Sequence, residues 1–399
     1  MKILLIDVNY KHSSTGKLVF DLKKLIESSY HEAFVAYGRG KKTKDKNVFK
    51  FGISIETYID ALLTRITGLV GYFSWLSTYK LIRYIKRIKP DVIHIHELHA
   101  YFVNIPIITN FVKKLNIKVI WTFHSDFMFT GKCGNSLSCQ KWKTSCNKCP
   151  LVRDYPKSFI FDFSSFMHKH KKKYLSGFKD LTIVAPSEWL RSRTLISFFK
   201  NYRVVKISNG IDTEKIFNFN LYKEDIDYKI PFKNYILSVA PNIMSKSKGG
   251  SFVLKIAKEI PEVTFIMVGF NKIPKDLPKN IYPLIRTNNQ KMLAYLYSRA
   301  SLFLITSEME TFSLTSAEAL CSGTKIIGFD VGAIKETYQG TNYGYLVNYG
   351  NIQKIVSIIK TYDFSPQLKQ EISKFATEKF NLSNTLNRYL ELYNGHFKS

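Results

Sequence analysis

Apolar runs typical of buried strands alternate with the periodicity typical of amphipathic helices along nearly all of the 399 residues, and they do so in two separate series. The first series opens with an apolar run at 2–8, a polar loop at 9–16 and a helical pattern at 17–28. The second opens with an apolar run at 235–240, then a loop rich in Ser, Lys and Gly, then a helical pattern at 251–259. This alternation predicts an α/β protein with parallel, doubly wound sheets. The length suggests two or three domains and is sufficient for a large core.

The composition indicates a globular protein with anionic partners. Apolar residues make up 45% of the chain, aromatic residues 15%, and the net charge is +28. An excess of this sign attracts nucleic acid, anionic membranes or phosphorylated substrates. Neither a zinc finger of the usual spacing, nor an RNA-recognition signature, nor a basic tail is found, which argues against nucleic acid. A basic, zinc-organised nucleic-acid or interaction module remains the alternative function.

Two apolar stretches bear on membranes and export. The run at 2–7 is short and ends in Asp7, so it does not resemble a signal peptide. The uncharged stretch at 66–79 is shorter than the ~20 residues of a spanning helix. We therefore predict a cytoplasmic protein. A helix predicted at 56–88 either lies on the inner membrane face or packs an aromatic stripe into the core.

A second basic helix is predicted at 159–174. It contains consecutive lysines at 171–173, and its basic face borders an acceptor cleft, borders the membrane, or is simply solvated.

Two glutamates frame a predicted helix N-terminus in the second series. A buried strand at 301–306 precedes Glu310, and a helix containing Glu318 ends at Ser322 and Gly323. Free backbone N–H groups at such a helix N-terminus suit a phosphate, and carboxylates accept hydrogen bonds from hydroxyls. Two unrelated surface glutamates are the alternative interpretation.

Two further loops have the composition of ligand-binding loops. Lys248 immediately precedes Gly249 and the helical pattern at 251–259, which places a cation beside a helix N-terminus. His124 ends a strand predicted at 118–123, and ligand-contacting groups of doubly wound sheets lie at this edge. For the lysine, an ordinary surface position is the alternative.

Four cysteines form a short cluster with the spacing Cys-x5-Cys-x6-Cys-x2-Cys. Four thiolates in one loop suit tetrahedral zinc, while disulfides are uncommon in cytoplasmic proteins. Free structural thiols are the alternative. The candidate ligands of a structural zinc are Cys133, Cys139, Cys146 and Cys149.

Glu310-x7-Glu318, followed by Ala-Leu-Cys-Ser-Gly-Thr-Lys-Ile-Ile, resembles the donor motif of retaining glycosyltransferases of family 4. Asn-Gly-Ile-Asp at 209–212 and Phe217 resemble that family's marker at the end of the acceptor domain. The resemblance implies the GT-B fold, in which two Rossmann-like doubly wound domains face each other across a cleft. The expected parts are an acceptor domain at 1–212 with a Cys-rich loop at 133–149, a linker at 213–232, a donor domain at 233–378, and a helix at 379–399 returning to the first domain.

The resemblance also implies roles for single residues. The first glutamate contacts sugar hydroxyls, the second binds the ribose, and backbone amides between them hold the diphosphate. The lysine binds the donor phosphates, and the histidine contacts the transferred sugar. The catalytic candidates are His124, Lys248 and Glu310, and the donor-binding candidates are Gly16, Asn242, Lys246, Phe312, Ser313, Leu314 and Glu318.

Several positions depart from the family pattern. Ser313 replaces a glycine, Asn242 replaces an arginine, and Ser125 replaces an aspartate, with Asp126 one position later. The loop at 330–336 lacks one glycine of a Gly-Gly pair.

Thr-Gly-Lys-Cys at 130–133 and Lys-Trp at 141–142 resemble the family members that make colanic acid and capsule. The implied function is retaining transfer of a hexose-type sugar, from a nucleotide diphosphate sugar to a glycan or lipid-linked saccharide, in bacterial surface polysaccharide synthesis. An anionic membrane surface is the further expected partner, and nucleic acid is not expected. No catalytic metal is expected where a lysine and helix ends carry the charge, and no residue is identified as the general base.

Overall fold

The computed structural model describes residues 1–222, 228, 230–363 and 368–397. The chain divides into two compact units, one formed by Met1–Ile207 with Leu386–Ser399 and the other by Ser208–Thr385. Part of the predicted linker, at 223–227 and 229, lies outside the described residues.

The first unit begins with β1 (Lys2–Asp7), α1 (Ser13–Ser28), β2 (Glu32–Tyr37), β3 (Val48–Lys50), α2 (Ser54–Thr67) and α3 (Trp75–Ile88). It continues with β4 (Val92–Ile95), α4 (Ile105–Lys114), β5 (Lys118–Thr122), α5 (Ser164–Leu175), β6 (Leu181–Ala185), α6 (Glu188–Leu195) and β7 (Arg203–Lys206).

The second unit contains β8 (Ile236–Val239), α7 (Gly250–Glu259), β9 (Phe265–Phe270), β10 (Ile281–Ile285), α8 (Gln290–Arg299), β11 (Leu302–Ile305) and α9 (Leu314–Cys321). It ends with β12 (Ile326–Phe329), β13 (Gly344–Val347), α10 (Ile352–Lys360) and α11 (Lys369–Phe380). Helix α12 (Leu382–Asn394) begins in this unit and ends in the first.

Each unit contains one parallel sheet. The strand order is β3-β2-β1-β4-β5-β6-β7 in the first and β10-β9-β8-β11-β12-β13 in the second. Strand order therefore reverses between β1 and β4 and between β8 and β11, where doubly wound sheets bind their ligands. The predicted fold class, an α/β protein with two doubly wound parallel sheets, is confirmed.

The strands are continuous apolar runs because helices cover both faces of a parallel sheet. In β1, Ile3, Leu4, Leu5 and Ile6 are all fully buried. In β11, Leu302, Phe303 and Leu304 are equally inaccessible.

Three predicted helices differ from the structure. The stretch at 56–88 is two helices, because Gly68 ends α2 with a positive φ of 79°. The predicted helix at 159–174 begins only at Ser164. Helix α1 begins at Ser13, so Gly16 lies in its first turn rather than in the preceding loop.

A bilayer-spanning helix needs both length and apolar character. In the part of the chain that the structure describes, no helix has both.

Candidate functional site

Two loops meet at the point where strand order reverses in the second sheet. The Lys248 loop (240–249) follows β8, and the Glu310 loop (306–313) follows β11. Strands β8 and β11 are parallel neighbours, with Leu302 beside Ile236. Since both loops leave the carboxyl ends of adjacent strands, they emerge together where a ligand is expected.

Hydrogen bonds join the two loops into one structure. The Glu308 N–H donates to the Ser247 carbonyl at 3.0 Å. The Thr306 hydroxyl donates to the Gly249 carbonyl at 2.9 Å. Gly249 has a φ of +68°, and a Cβ there would lie 2.0 Å from the Thr306 carbonyl oxygen. Glycine is therefore required for this close approach.

Lys248 and Glu310 form an ion pair at this junction. The Lys248 Nζ lies 2.7 Å from Glu310 Oε1, with side chains 30% and 14% exposed. The pair is reachable from solvent, yet each side chain is held in one orientation. A positioned ammonium beside a positioned carboxylate suits a ligand with both phosphate and hydroxyl groups.

A third loop fixes the backbone of Glu310. The Ala333 N–H donates to the Glu310 carbonyl at 2.8 Å. A Cβ on Gly332, whose φ is +59°, would lie 2.0 Å from that carbonyl oxygen. The loop at 330–336 has only one glycine of the expected pair. That glycine, Gly332, is the one that approaches the Glu310 carbonyl.

Helix α9 begins beside the ion pair with Ser313 as its N-cap residue. Ser313 has a left-handed backbone, with φ 69° and ψ 74°. This region suits the glycine of the family pattern better than a serine. The Ser313 and Ser316 hydroxyls lie 2.6 Å apart and hydrogen-bond each other, which holds the turn. The first N–H groups of a helix lack intrahelical acceptors, so this terminus suits an anion.

Glu318 lies in α9, more than one turn after Ser313. Its carboxylate accepts a hydrogen bond from the Tyr297 hydroxyl at 3.3 Å. The sequence does not indicate this partner, because Tyr297 lies on a different helix, α8. The hydrogen bond fixes one carboxylate oxygen of Glu318.

The remaining donor-binding candidates occupy less restricted positions. Asn242 is exposed, and Lys246 is 74% exposed at 3.9 Å from Glu308. Phe312 is buried, with its ring against Phe380 at 5.8 Å, so only its backbone is available to a ligand. Leu314 is partly exposed in the first turn of α9.

His124 follows β5 in the first unit, within a cluster of buried polar groups. Its Nε2 lies 3.2 Å from Nδ1 of His96. Burial lowers the pKa of both imidazoles, so both rings are neutral near pH 7. The Glu97 carboxylate contacts His99 and the Ser125 hydroxyl. A neutral imidazole with a carboxylate nearby suits hydrogen bonding to sugar hydroxyls.

Asp7, at the carboxyl end of β1, is a buried residue near Glu97 that the sequence did not identify as a site residue. It accepts hydrogen bonds from the Thr15 hydroxyl at 2.9 Å and from the Glu97 N–H at 3.2 Å. Burial raises its pKa to about 7. The only available sequence signal was an aspartate ending an otherwise apolar strand. Asp7 connects the first turn of α1, which contains Gly16, to the loop after β4.

Asp126 has a structural position. It is fully buried, and its carboxylate lies 3.0 Å from the Arg193 guanidinium. The Ser136 N–H and hydroxyl donate to the same carboxylate at 3.1 and 2.8 Å. Asp126 therefore anchors the Cys-rich loop.

The four clustered cysteines line one small cavity, together with Trp142 and Thr130. The buried Lys132 and Lys171 lie nearby, and Lys171 donates to the Thr130 carbonyl at 3.2 Å. Within the described residues, however, no three His, Cys, Asp or Glu side chains are placed to hold one metal ion. The four thiols thus line one cavity without forming a ligand set in this arrangement, and the zinc site stays a prediction from the sequence.

The sequence-based prediction is that protein purified under reducing conditions, without added zinc, contains about one zinc per chain, with the four thiols drawn together as a tetrahedral ligand set. Elemental analysis together with thiol titration tests this. A Cys139→Ser and Cys149→Ser double variant should lose the metal, whereas Cys321→Ser, in the second unit, should keep it. Substoichiometric metal with freely reactive thiols would reject the site.

The family models match both units. The description "Glycosyltransferase Family 4" matches residues 15–215, and "Glycosyl transferases group 1" matches residues 234–362. The first match covers half of the chain. The protein belongs to glycosyltransferase family 4.

Similar proteins include one relative named for colanic acid biosynthesis and two solved structures. The putative colanic acid biosynthesis glycosyl transferase WcaC of Escherichia coli K12 is 24% identical, covering 93% of this chain and 92% of that protein. Sucrose-phosphate synthase of Thermosynechococcus elongatus has a TM-score of 0.70 at 13% identity, covering 99% of this chain and 98% of that one. Anabaena HepE in complex with UDP-glucose has a TM-score of 0.64 at 16% identity, and the match covers 99% of this chain and 100% of that one. These structures share the fold of this family 4 protein.

The structure thus gathers the predicted site residues into two groups. Lys248 and Glu310 meet at the carboxyl edge of the second sheet, and Ser313 and Glu318 follow at the N-cap and within α9. His124 and Gly16 lie in the first unit, after β5 and at the start of α1.

Proposed function

We propose that this protein transfers a hexose-type sugar from a nucleotide diphosphate sugar to a glycan or lipid-linked saccharide, in surface polysaccharide synthesis. The observation that carries the proposal is the Lys248–Glu310 ion pair of 2.7 Å at the N-terminus of α9. The similarity to WcaC, whose name refers to colanic acid, supports the polysaccharide class. HepE, solved with UDP-glucose, supports the donor class.

The donor phosphates would bind between Lys248 and the first turn of α9. The ammonium and the helix N-terminus both place positive charge where the leaving diphosphate develops negative charge. Positioned charge of this kind stabilises the transition state more than the ground state, because the charge grows as the glycosidic bond breaks. Lys246, in the same loop, would add positive charge from solvent.

The sugar and the ribose would bind to the two glutamates. Glu310, oriented by Lys248 and by the Gly332 contact, accepts from sugar hydroxyls and favours the positive charge that develops on the ring. Glu318, oriented by Tyr297, accepts from ribose hydroxyls. His124, as a neutral imidazole, is proposed to bind a hydroxyl of the transferred sugar.

We propose that transfer retains the anomeric configuration and that a leaving diphosphate oxygen takes the acceptor proton. A double displacement needs a carboxylate on the far side of the anomeric carbon. Asp126 was the nearest acid to His124 in sequence, but its carboxylate is occupied by Arg193 and Ser136 in a fully buried position. Front-face transfer requires no such carboxylate.

A screen of nucleotide sugars tests the function, and proton NMR of the product tests the stereochemistry. We expect one nucleotide diphosphate sugar to be hydrolysed or transferred, with the anomeric configuration of the donor kept. Asp126→Asn should lower the melting temperature, since it weakens a buried ion pair, yet leave substantial activity in the folded fraction. An inverted product would overturn the mechanism, and no turnover of any nucleotide sugar would overturn the function.

A further inference from the structure

Helix α2 buries its polar face and exposes its apolar face. Its buried side chains are Glu56, Thr57, Asp60, Ala61 and Thr64. Its exposed apolar side chains are Ile55, Tyr58, Ile59 and Leu62, which are 70%, 75%, 52% and 57% exposed. A surface helix in water normally has the opposite arrangement. The outer face of α2 therefore suits an apolar environment.

Hydrogen bonds of the polar face fix this orientation. The Glu56 carboxylate accepts from the N–H groups of Leu76 and Ser77, both at 2.8 Å. Asp60 accepts from the Ser74 hydroxyl at 2.5 Å. Turning the helix to bury its apolar face would leave the buried Ser74 hydroxyl and Ser77 N–H without acceptors, which is costly. The exposure is thus built into the fold.

Two neighbouring elements extend the apolar surface. The first turns of α3 expose Trp75, Leu76 and Tyr79, while Phe73 just before them is only half-buried. The segment at 159–166 is joined to the end of α2, where the N–H of Phe159 donates to the Arg65 carbonyl at 2.7 Å. The apolar face, as we define it, consists of Ile55, Tyr58, Ile59, Leu62, Trp75, Leu76, Tyr79, Phe159, Ile160, Phe161, Phe163 and Phe166. Because hydrogen bonds join the three elements, their exposed apolar side chains lie in one region, and a large exposed apolar region marks an interaction site.

The charge around the apolar face is positive. Every exposed side chain on α2 and α3 that is charged at neutral pH is basic, and the acids of α2 are buried. The exposed acid of the segment at 159–166 is Asp162, which accepts hydrogen bonds from the N–H groups of Cys149 and Ser164. The basic residues on and beside these elements are Arg65, Lys80, Arg83, Lys86, Arg87, Arg153, Lys157, Lys169, Lys172 and Lys173. Apolar and aromatic side chains with basic residues beside them match the boundary between acyl chains and anionic headgroups.

We propose that the apolar face docks this protein onto an anionic lipid bilayer, with its side chains at the headgroup boundary and the basic residues on lipid phosphates. Helix α2 would lie in the plane of the interface and not cross it. A second copy of the chain fits less well, because a two-fold interface would bring like charges together. This inference goes beyond sugar transfer and concerns only the first unit.

Vesicle sedimentation tests the docking. We expect the protein to bind vesicles of phosphatidylglycerol and phosphatidylcholine, and to bind pure phosphatidylcholine vesicles more weakly, because the basic residues need anionic lipid. A triple variant, Ile55→Gln, Ile59→Gln and Leu62→Gln, should reduce partitioning about tenfold or more, since it removes three apolar anchors. These side chains are exposed, so melting temperature should change little.

A matched triple variant provides the control. Ile196, Ile273 and Ile285 are 54%, 42% and 50% exposed and lie outside the apolar face, so their replacement by glutamine should leave vesicle binding unchanged. Brominated lipid should also quench the fluorescence of Trp75, and the Trp75→Phe variant should show less quenching. Equal loss in both triple variants, or no vesicle binding by the wild type, would overturn the proposal. The proposal would also fail if light scattering showed a dimeric wild type and a monomeric first triple variant. Because no donor or acceptor is present, the result is independent of sugar transfer.

Discussion

Replacement of Lys248 by alanine is expected to lower the rate of sugar transfer about a hundredfold to a thousandfold. The ammonium lies 2.7 Å from Glu310, which precedes the first residue of α9, Leu314, by four positions. Without it, the leaving diphosphate loses a stabilising charge, and Glu310 loses the partner that orients its carboxylate. Both losses act on the transition state, so kcat should fall more than KM rises.

The control for this prediction is Lys258→Ala. Lys258 is exposed on α7, the helix that follows the Lys248 loop, so this variant changes the net charge equally and leaves the ion pair intact. Circular dichroism should show that both variants are folded. A near-normal transfer rate in the Lys248→Ala variant would show that Lys248 does not bind the donor phosphates. Glu310→Gln keeps the side-chain shape, and its loss of rate would show that the carboxylate charge is required.

Replacement of Glu318 by alanine is expected to weaken donor binding about tenfold to a hundredfold, the usual effect of losing hydrogen bonds to a charged group. The carboxylate is partly exposed and oriented by the Tyr297 hydroxyl at 3.3 Å. The effect should therefore appear in the dissociation constant of the nucleotide itself. Calorimetric titration with UDP, and with the nucleotide identified in the donor screen, measures it.

Tyr297→Phe separates binding from positioning. It removes the hydroxyl that donates to Glu318 and leaves the carboxylate in place, so we expect a smaller loss of nucleotide affinity than with Glu318→Ala. Glu259→Ala, on the exposed face of α7, removes one acidic charge elsewhere in the same unit and should have no effect. Unchanged nucleotide affinity in Glu318→Ala would show that the ribose is bound by other groups.

The sequence by itself determined the two doubly wound sheets and the positions of the principal motifs. Apolar runs such as Ile3–Ile6 and Leu302–Leu304 are buried on both faces, and such runs indicate parallel strands without knowledge of their neighbours. The Glu310 and Glu318 spacing and the Lys248-Gly249 pair are likewise local features. They depend only on where a loop ends and a helix begins, which the order of residues specifies.

Only the tertiary structure decided which of these residues meet. Lys248 and Glu310 are 62 positions apart, and their contact follows from the adjacency of β8 and β11. The pairing of Asp126 with Arg193, 67 positions away, likewise showed that this acid anchors a loop. Helix α2 shows the physical reason. Periodicity reveals that a helix has two faces, but the hydrogen bonds of Glu56 and Asp60 to the start of α3 determine which face turns inward.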